Sequence, residues 1–160
     1  MENIHKRFFD SLIEAEKRWQ NADHMVFVTY RVVKDSKLLT RALESVYNSV
    51  VLSVSTILKY EYFHKRISLS QNTGKNLDLF FRKCAEKYGL NARDREVIND
   101  LIIIGRKHKE SGFEFSKRNK IIILDDNLGM SELSVDRIKE FLEVGKRIII
   151  KARENFGLSR

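Results

Sequence analysis

Apolar residues recur at helical spacing through most of this 160-residue chain, which contains no proline. Positions three and four residues apart lie on one face of an α-helix, so this pattern predicts amphipathic helices packed around a core. The longest stretch runs from Lys37 to Arg66. A helix of this length would be about 45 Å long, which is typical of the central helix of a bundle. Its apolar seam consists of Leu39, Leu43, Val46, Val50, Ile57 and Tyr60.

Four further helices are predicted from the same spacing and from residues that favour helix ends. Ser134 is a good N-cap for the last helix, and Gly89 and Gly157 stand where helices are expected to stop. The segment Met25 to Val33 is rich in β-branched and aromatic residues, which favour an extended or irregular passage, with extension of a neighbouring helix as the alternative. The four helices span residues 3–21, 76–88, 92–110 and 135–156.

Only one part of the chain has the signature of β-structure. Lys120 to Leu124 is a short apolar run, Asp125 to Gly129 has the composition of a turn, and Met130 to Leu133 fits a return strand. The fold class predicted is therefore all-α: an antiparallel four- to five-helix bundle with one small β-hairpin before the last helix. We expect a single domain spanning residues 1–160, since no linker or repeat divides the chain.

The formal net charge of +8 is concentrated in the middle of the chain. Residues 57–120 hold 15 Lys and Arg against 8 Asp and Glu, whereas the flanking segments are nearly balanced. An anionic partner would be sought there first. No apolar run approaches the roughly 20 residues that span a bilayer, so no membrane partner is expected. A single cysteine and the absence of a secretory segment predict a cytoplasmic protein.

Signatures of metal and cofactor chemistry are weak. Cys84 and four scattered histidines do not provide the spacing of a zinc site, and Cys84 falls on an apolar stripe that predicts a buried thiol. The acidic residues of 125–129 fit a hairpin turn better than a calcium loop, because glycine and glutamate do not fall where such a loop needs them. We therefore predict no metal and no cofactor.

A basic bundle end is the main candidate binding site. If successive helices are antiparallel, the second and fourth run the same way, so His64 and His108 would reach one end and His24 the other. Cations near helix C-termini also complement the helix macrodipole without any ligand, which is the alternative explanation. The residues predicted to bind RNA, a nucleotide phosphate or another polyanion are Lys65, Arg66, Arg106, Lys107, His108, Lys109, Lys117 and Arg118.

Arg18 and His24 are separated by five residues, with Trp19 directly after the arginine. This spacing, in a helical chain of this length with a basic middle, resembles the HEPN superfamily, whose active members carry an Arg, a polar residue and a His after four to six intervening positions. The resemblance implies a metal-independent ribonuclease, in which a dimer brings two sites together, Arg18 holds the phosphate and His24 assists attack by the 2′-hydroxyl.

Three functions follow from these observations. The first is a non-catalytic module that binds RNA or another polyanion through the basic bundle end. The second is a protein-interaction module or homodimer, in which the hairpin or the long second helix docks onto a partner. The third is the HEPN-like ribonuclease that uses Arg18 and His24.

Overall fold

Five helical stretches and a three-stranded antiparallel sheet make up residues 2–158, the part of the chain that the structure, a computed structural model, describes. The number of helices is as predicted, but the sheet has one strand more than the hairpin. In chain order the elements are α1 (Glu2–His24), a π-helical turn π1 (Met25–Thr29), α2 (Tyr30–Val33), α3 (Lys37–Phe63), α4 (Thr73–Leu79), a second π-helical turn π2 (Phe80–Cys84), α5 (Ala92–Glu110), β1 (Phe113–Lys117), β2 (Lys120–Leu124), β3 (Met130–Leu133) and α6 (Val135–Asn155).

The predicted irregular passage between the first two helices is wrong. Helix α1 continues through π1 into α2 without a break and ends at Lys34, which adopts the left-handed conformation with φ of 54°. Val26 in π1 is buried in the core, so tertiary packing overrides the preference of β-branched residues for extended backbone. The alternative prediction, extension of a neighbouring helix, is confirmed.

Helix α3 ends at Phe63, three residues before the predicted end. Lys65 has φ of 60°, and the backbone N–H groups of Lys65 and Arg66 donate to the carbonyl oxygens of Tyr62 and Glu61. These paired bonds are a Schellman motif, which closes a helix by placing one residue in the left-handed region. Lysine occupies a position that usually belongs to glycine, which is why the sequence did not show this stop.

The predicted third helix is shorter and less regular than expected. It begins at Thr73, where the side chain of Asn72 caps the backbone N–H of Lys75 at 3.1 Å, and passes from α4 into π2 before ending in a turn at Gly89. By contrast, α5 covers the predicted residues, held by a capping box between Asn91 and Asp94. Helix α6 begins after Ser134 as predicted, and Gly157 follows its end with φ of 74°.

Helices α1, α3, α5 and α6 form an up-down-up-down bundle. Helices α3 and α6 run in the same direction at its centre, with α1 packed on one side and α5 on the other. The antiparallel pairing of α1 is fixed by two bonds: Ser49 Oγ donates to the carbonyl of Ala15 at 2.7 Å, and Trp19 Nε1 donates to the carbonyl of Leu142 at 2.8 Å.

The predicted relation between the second and fourth helices is wrong, because α3 and α5 are antiparallel. His108 near the end of α5 contacts Glu44 near the start of α3, while Tyr88, just before α5, contacts Glu61 near the end of α3. Residues 64–72 supply the return along α3, so α4 and π2 run in the same direction as α3 and α5 comes back again. The third helix was predicted to run antiparallel to the second. In the structure the loop of residues 64–72 makes this return, and α4 and π2 run parallel to α3.

The sheet covers the bundle end where α1 and α5 finish. Ile121, Ile123 and Leu133 on its inner face are buried against the helices. Strand β1, which was not predicted, pairs with β2 through a two-residue turn in which Arg118 and Asn119 have φ of 50° and 65°. Two successive residues with positive φ define a type I′ hairpin turn, for which Asn-Gly is the usual signal and Arg-Asn an uncommon one.

Candidate functional site

The eight cations predicted to form one basic end are divided between two ends of the bundle. Lys65 and Arg66 follow the end of α3, whereas Arg106 to Lys109 lie in the last turns of α5 beside the start of α3. The predicted common end is therefore wrong for these two groups, because α3 and α5 are antiparallel. His24 lies with the second group, at the end of α1, and not at the opposite end from His108 as predicted.

Arg66 is bound to a buried carboxylate. Glu61 is 2% exposed and accepts hydrogen bonds from Nε of Arg66, from Nζ of Lys87 at 2.7 Å and from the hydroxyl of Tyr88 at 2.8 Å. Burial by itself raises the pKa of Glu61, but these three donors outweigh it and hold the pKa below its ordinary value. This cluster joins α3 to the segment before α5. The guanidinium of Arg66 is thereby held in an ion pair within the protein.

Cys84 lies close to this cluster and is buried, as predicted. Burial raises the pKa of its thiol to about 11. The thiolate, which is the reactive form, is therefore scarce at neutral pH, so Cys84 acts as a small core side chain. Among residues 2–158, no three His, Cys, Asp or Glu side chains gather closely enough to hold a metal ion. No helix in that range is long and apolar enough to cross a membrane.

His108 joins three elements of the fold. Its Nε2 lies 2.7 Å from Oε1 of Glu44 in α3, and its Nδ1 contacts Oε1 of Glu114 in β1. Carboxylates only accept hydrogen bonds, so both ring nitrogens must carry a proton for both contacts to form. Burial lowers the pKa of His108, but the bonds to Glu44 and Glu114 outweigh it and raise the pKa above its ordinary value.

We expect the stabilisation by His108 to fade as pH rises. A histidine whose pKa is raised by folding stabilises the native state fully below its unfolded pKa of about 6.5 and loses this effect as pH passes its folded pKa. The free energy of unfolding lost in His108→Gln, measured by urea denaturation, should be about 1 kcal/mol larger at pH 5.5 than at pH 8.5. Burial also lowers the pKa of His64, but this shift affects the stability of both proteins equally and therefore cancels in the difference. A loss that is constant with pH would contradict the doubly bonded imidazolium.

The other α5 cations also have intramolecular contacts. Lys107 Nζ donates to Ser131 Oγ at 3.0 Å and lies 3.8 Å from Asp125, and Lys109 Nζ lies 4.5 Å from the centre of the Tyr47 ring. Arg106 lines a mostly apolar groove between α3, α4 and α5. The predicted α5 cations are thus used largely within the fold, where they join α5 to the sheet and to α3.

A different set of cations lines a groove at this end of the bundle. The groove has a volume of about 690 Å³ and runs between π1, α2, the β1–β2 turn and the start of α6. Arg31, Lys34 and Lys139 contribute its positive charge, and no carboxylate is among its lining residues. Its walls are formed by Val26, Phe27, Tyr30, Arg31, Lys34, Asn119, Val135 and Lys139.

The shape of this groove depends on the helix extension that the sequence did not predict. The π1 turn carries Val26 into the core and leaves Phe27 42% exposed, with Nζ of Lys139 at 5.2 Å from its ring centre. Lys34 ends the extension in a left-handed conformation. Wide helical turns of this kind are frequent at functional sites. The sequence does not indicate Arg31 and Lys34 as site residues, because the β-branched and aromatic residues of Met25 to Val33 predict an irregular passage and the charge of residues 1–56 is nearly balanced.

Among the cations predicted to bind a polyanion, Lys117 and Arg118 are the nearest in sequence to a residue that lines this groove. They occupy the end of β1 and the first position of the β1–β2 turn, directly before Asn119, which lines the groove. A hydrogen bond of 2.6 Å between Ser116 and Ser36 holds the end of β1 beside the start of α3. The turn therefore extends the positive charge of the groove to the edge of the sheet.

Arg18 and His24, the predicted catalytic pair, lie on different faces of α1. Nε of Arg18 donates to Glu14 at 3.2 Å, and Nδ1 of His24 lies 3.4 Å from Oγ1 of Thr29. Six positions along an α-helix correspond to a separation of about 120° around its axis. Each side chain thus has a contact within its own stretch of the chain, and the joint catalytic role of Arg18 and His24 stays a prediction.

Comparison of the sequence with protein-family models and with curated proteins gave no significant match.

Proposed function

We propose that the protein is a non-catalytic module that binds RNA or another polyanion in the groove between π1, α2, the β1–β2 turn and α6. The observation that carries this proposal is the lining of the groove: Arg31, Lys34 and Lys139 stand beside Phe27 and Tyr30, and no Asp or Glu is among the described residues that line it. Cations beside aromatic rings are the combination that binds a phosphate backbone and stacks on its bases. The net charge of +8 also supports the proposal, because it favours association with any polyanion.

The proposal is tested by fluorescence anisotropy with a labelled single-stranded RNA across a salt series. Phosphate contacts to a single strand contribute a slope of roughly 0.7 each to the dependence of log K on log salt. A triple variant, Arg31→Gln with Lys34→Gln and Lys139→Gln, should therefore lower the slope by about 2 and weaken binding about 100-fold at 0.1 M salt. These residues are exposed or half-buried on the surface, so the fold should be retained.

A matched control separates this groove from a general effect of charge. Lys6, Lys59 and Lys83 are exposed at the opposite end of the bundle, and their replacement by glutamine also removes three charges. The control triple variant should bind within about threefold of wild type, because it changes the net charge but not the groove. Equal weakening in both variants would reduce the groove to part of a general basic surface and would contradict the proposal.

A denaturing gel of the same samples tests cleavage. For a non-catalytic module we expect the probe to remain full length. A cleaved probe, with cleavage lost in His24→Ala while the thermal unfolding midpoint is unchanged, would instead support the ribonuclease that the resemblance implies.

A further inference from the structure

The outer face of the sheet exposes two aromatic rings. Side chains alternate along β1, so Glu114 and Ser116 face inward to His108 and Ser36, and Phe113 and Phe115 lie on the other face. Phe113 is 58% exposed and Phe115 39% exposed, with ring centres 6.0 Å apart and planes inclined at 64°. Because the planes are inclined, each ring offers its own face to a separate planar group.

The charge on this sheet is unequal at its two ends. Lys117, Arg118 and Lys120 lie at the β1–β2 turn, next to the groove, although Lys120 also pairs with Glu132 at 3.5 Å. Asp125 and Asp126 lie in the β2–β3 turn at the opposite end. A chain of phosphates would therefore be attracted to the turn at the groove. To bring its bases over the rings it would run from this turn back along β1, where Phe115 stands two residues before Lys117 and Phe113 lies at the far end of the strand, opposite Leu124.

We propose that this face is a stacking platform for the unpaired bases of single-stranded RNA whose backbone lies in the groove. The inference rests on the proposed function and adds the form of the ligand. Stacking on a side chain requires a base with a free face, which a duplex does not offer, so exposed aromatic rings on a sheet select single strands. A second copy of the chain pairing along β1 is the competing occupant, but Lys117 charges this edge, and charge on an edge strand disfavours such pairing.

The experiment compares three probes of equal length: a single-stranded RNA, the same strand in a duplex, and an abasic strand that keeps the phosphates but lacks the bases. Wild type should bind the single strand most tightly. The double variant Phe113→Ala with Phe115→Ala should lose about 30-fold in affinity for the single strand, because two stacked bases are lost. Its affinity for the abasic strand and its salt slope should be unchanged, since the cations remain.

Two control variants make the readout specific to aromatic stacking. Phe9→Ala removes a ring of comparable exposure, 38%, from α1 and should leave all three affinities unchanged. Phe113→Trp with Phe115→Trp keeps a stacking surface and should keep the preference for the single strand. This second variant also separates stacking from loss of fold, because it retains the bulk of both positions.

The outcomes distinguish this inference from the function on which it rests. If wild type binds none of the probes at low salt, the proposed function itself fails. If wild type binds and the Phe113 and Phe115 double alanine variant keeps its full preference for the single strand, the stacking platform is contradicted. The proposed binding of a polyanion in the groove is then retained. If analytical ultracentrifugation shows a wild-type dimer that this variant converts to a monomer with unchanged RNA affinity, the face is an interface between two copies and the platform is overturned.

Discussion

Replacing Glu61 with alanine is expected to lower the free energy of unfolding by about 3 kcal/mol, because it removes one side of a buried ionic cluster. Tyr88 would lose the acceptor of its buried hydroxyl, and Arg66 and Lys87 would lose the charge that holds them. The two cations are 43% and 42% exposed, so water partly compensates them and keeps the cost from rising further. Urea denaturation followed by circular dichroism would measure the loss.

Two companion variants test whether the loss comes from the cluster. Glu86 is exposed two residues before Tyr88, and Glu86→Ala should change stability by less than about 0.5 kcal/mol. Tyr88→Phe removes only the hydroxyl and should cost about 1.5 kcal/mol. The pKa of Glu61 is lowered by folding, so its stabilisation is present above the unfolded pKa and is lost as pH falls through the folded pKa. A Glu61→Ala variant as stable as Glu86→Ala would contradict the cluster.

The second large effect is expected from Gly105→Ala, which should lower the free energy of unfolding by about 2 kcal/mol. Gly105 is buried in α5 against the ring of Tyr47, and an added Cβ would lie 2.6 Å from Cε2 and 2.9 Å from Cγ. These distances are far inside van der Waals contact, so the ring must move out of a packed position at a cost of up to about 3 kcal/mol. Alanine recovers about 1 kcal/mol through its higher helix propensity. Thermal and urea denaturation would both report the net loss.

Gly145 in α6 provides a matched comparison for this substitution. A Cβ there would lie 3.1 Å from Cδ1 of Trp19 and 3.3 Å from Cγ2 of Val50, which small shifts relieve. We expect Gly145→Ala to be within about 0.5 kcal/mol of wild type, because helix propensity offsets the tight contact. In a Tyr47→Ala background, Gly105→Ala should stabilise the protein. Destabilisation of similar size with and without the Tyr47 ring would show that the steric explanation is wrong.

The sequence predicted best the helices whose ends are marked by capping residues. Helix α5 begins after Asn91 and α6 after Ser134, and both side chains accept the backbone hydrogen bonds expected of an N-cap. In each case the signal and the structure that it specifies lie within a few residues of one another. Helix ends that depend on a left-handed residue other than glycine were missed at Lys34 and Lys65, because a lysine in that conformation carries no sequence signal comparable to glycine.

The relative directions of the helices could not be obtained in the same way. Helical spacing predicts a helix over residues 76–88, near the helical stretch found at residues 73–84, but it does not show that residues 64–72 already bring the chain back along α3. Because this return was not foreseen, α5 was predicted in the wrong direction, and Lys65 and Arg66 were predicted at the same bundle end as Arg106 to Lys109. Strand β1 was missed although Phe113 and Phe115 alternate with polar residues, because Arg118-Asn119 is an uncommon turn.

The candidate site could be predicted only in part, because the sequence shows where charged residues stand but not which of them are paired with other residues of the fold. Arg66, Lys107 and His108 were selected for their charge, and each is paired with a carboxylate of the same chain. Glu61 lies five residues before Arg66, whereas Asp125 and Glu44 lie in other parts of the fold. Arg31, Lys34 and Lys139 come from segments with little excess charge, and the fold brings them together. Lys117 and Arg118 remain candidates, since they lie beside the groove.

The hydrogen bond from Trp19 to Leu142 has a consequence for how the chain folds. It joins residues 123 positions apart, and closing so large a loop costs entropy before any contact between the first and last helices is gained. Rates of folding fall as such distant contacts become more important, so docking of α6 onto α1 is expected to be the slow step. Trp19 is the one tryptophan of the chain, and it lies at this junction. Its fluorescence is therefore a built-in reporter of the final closure.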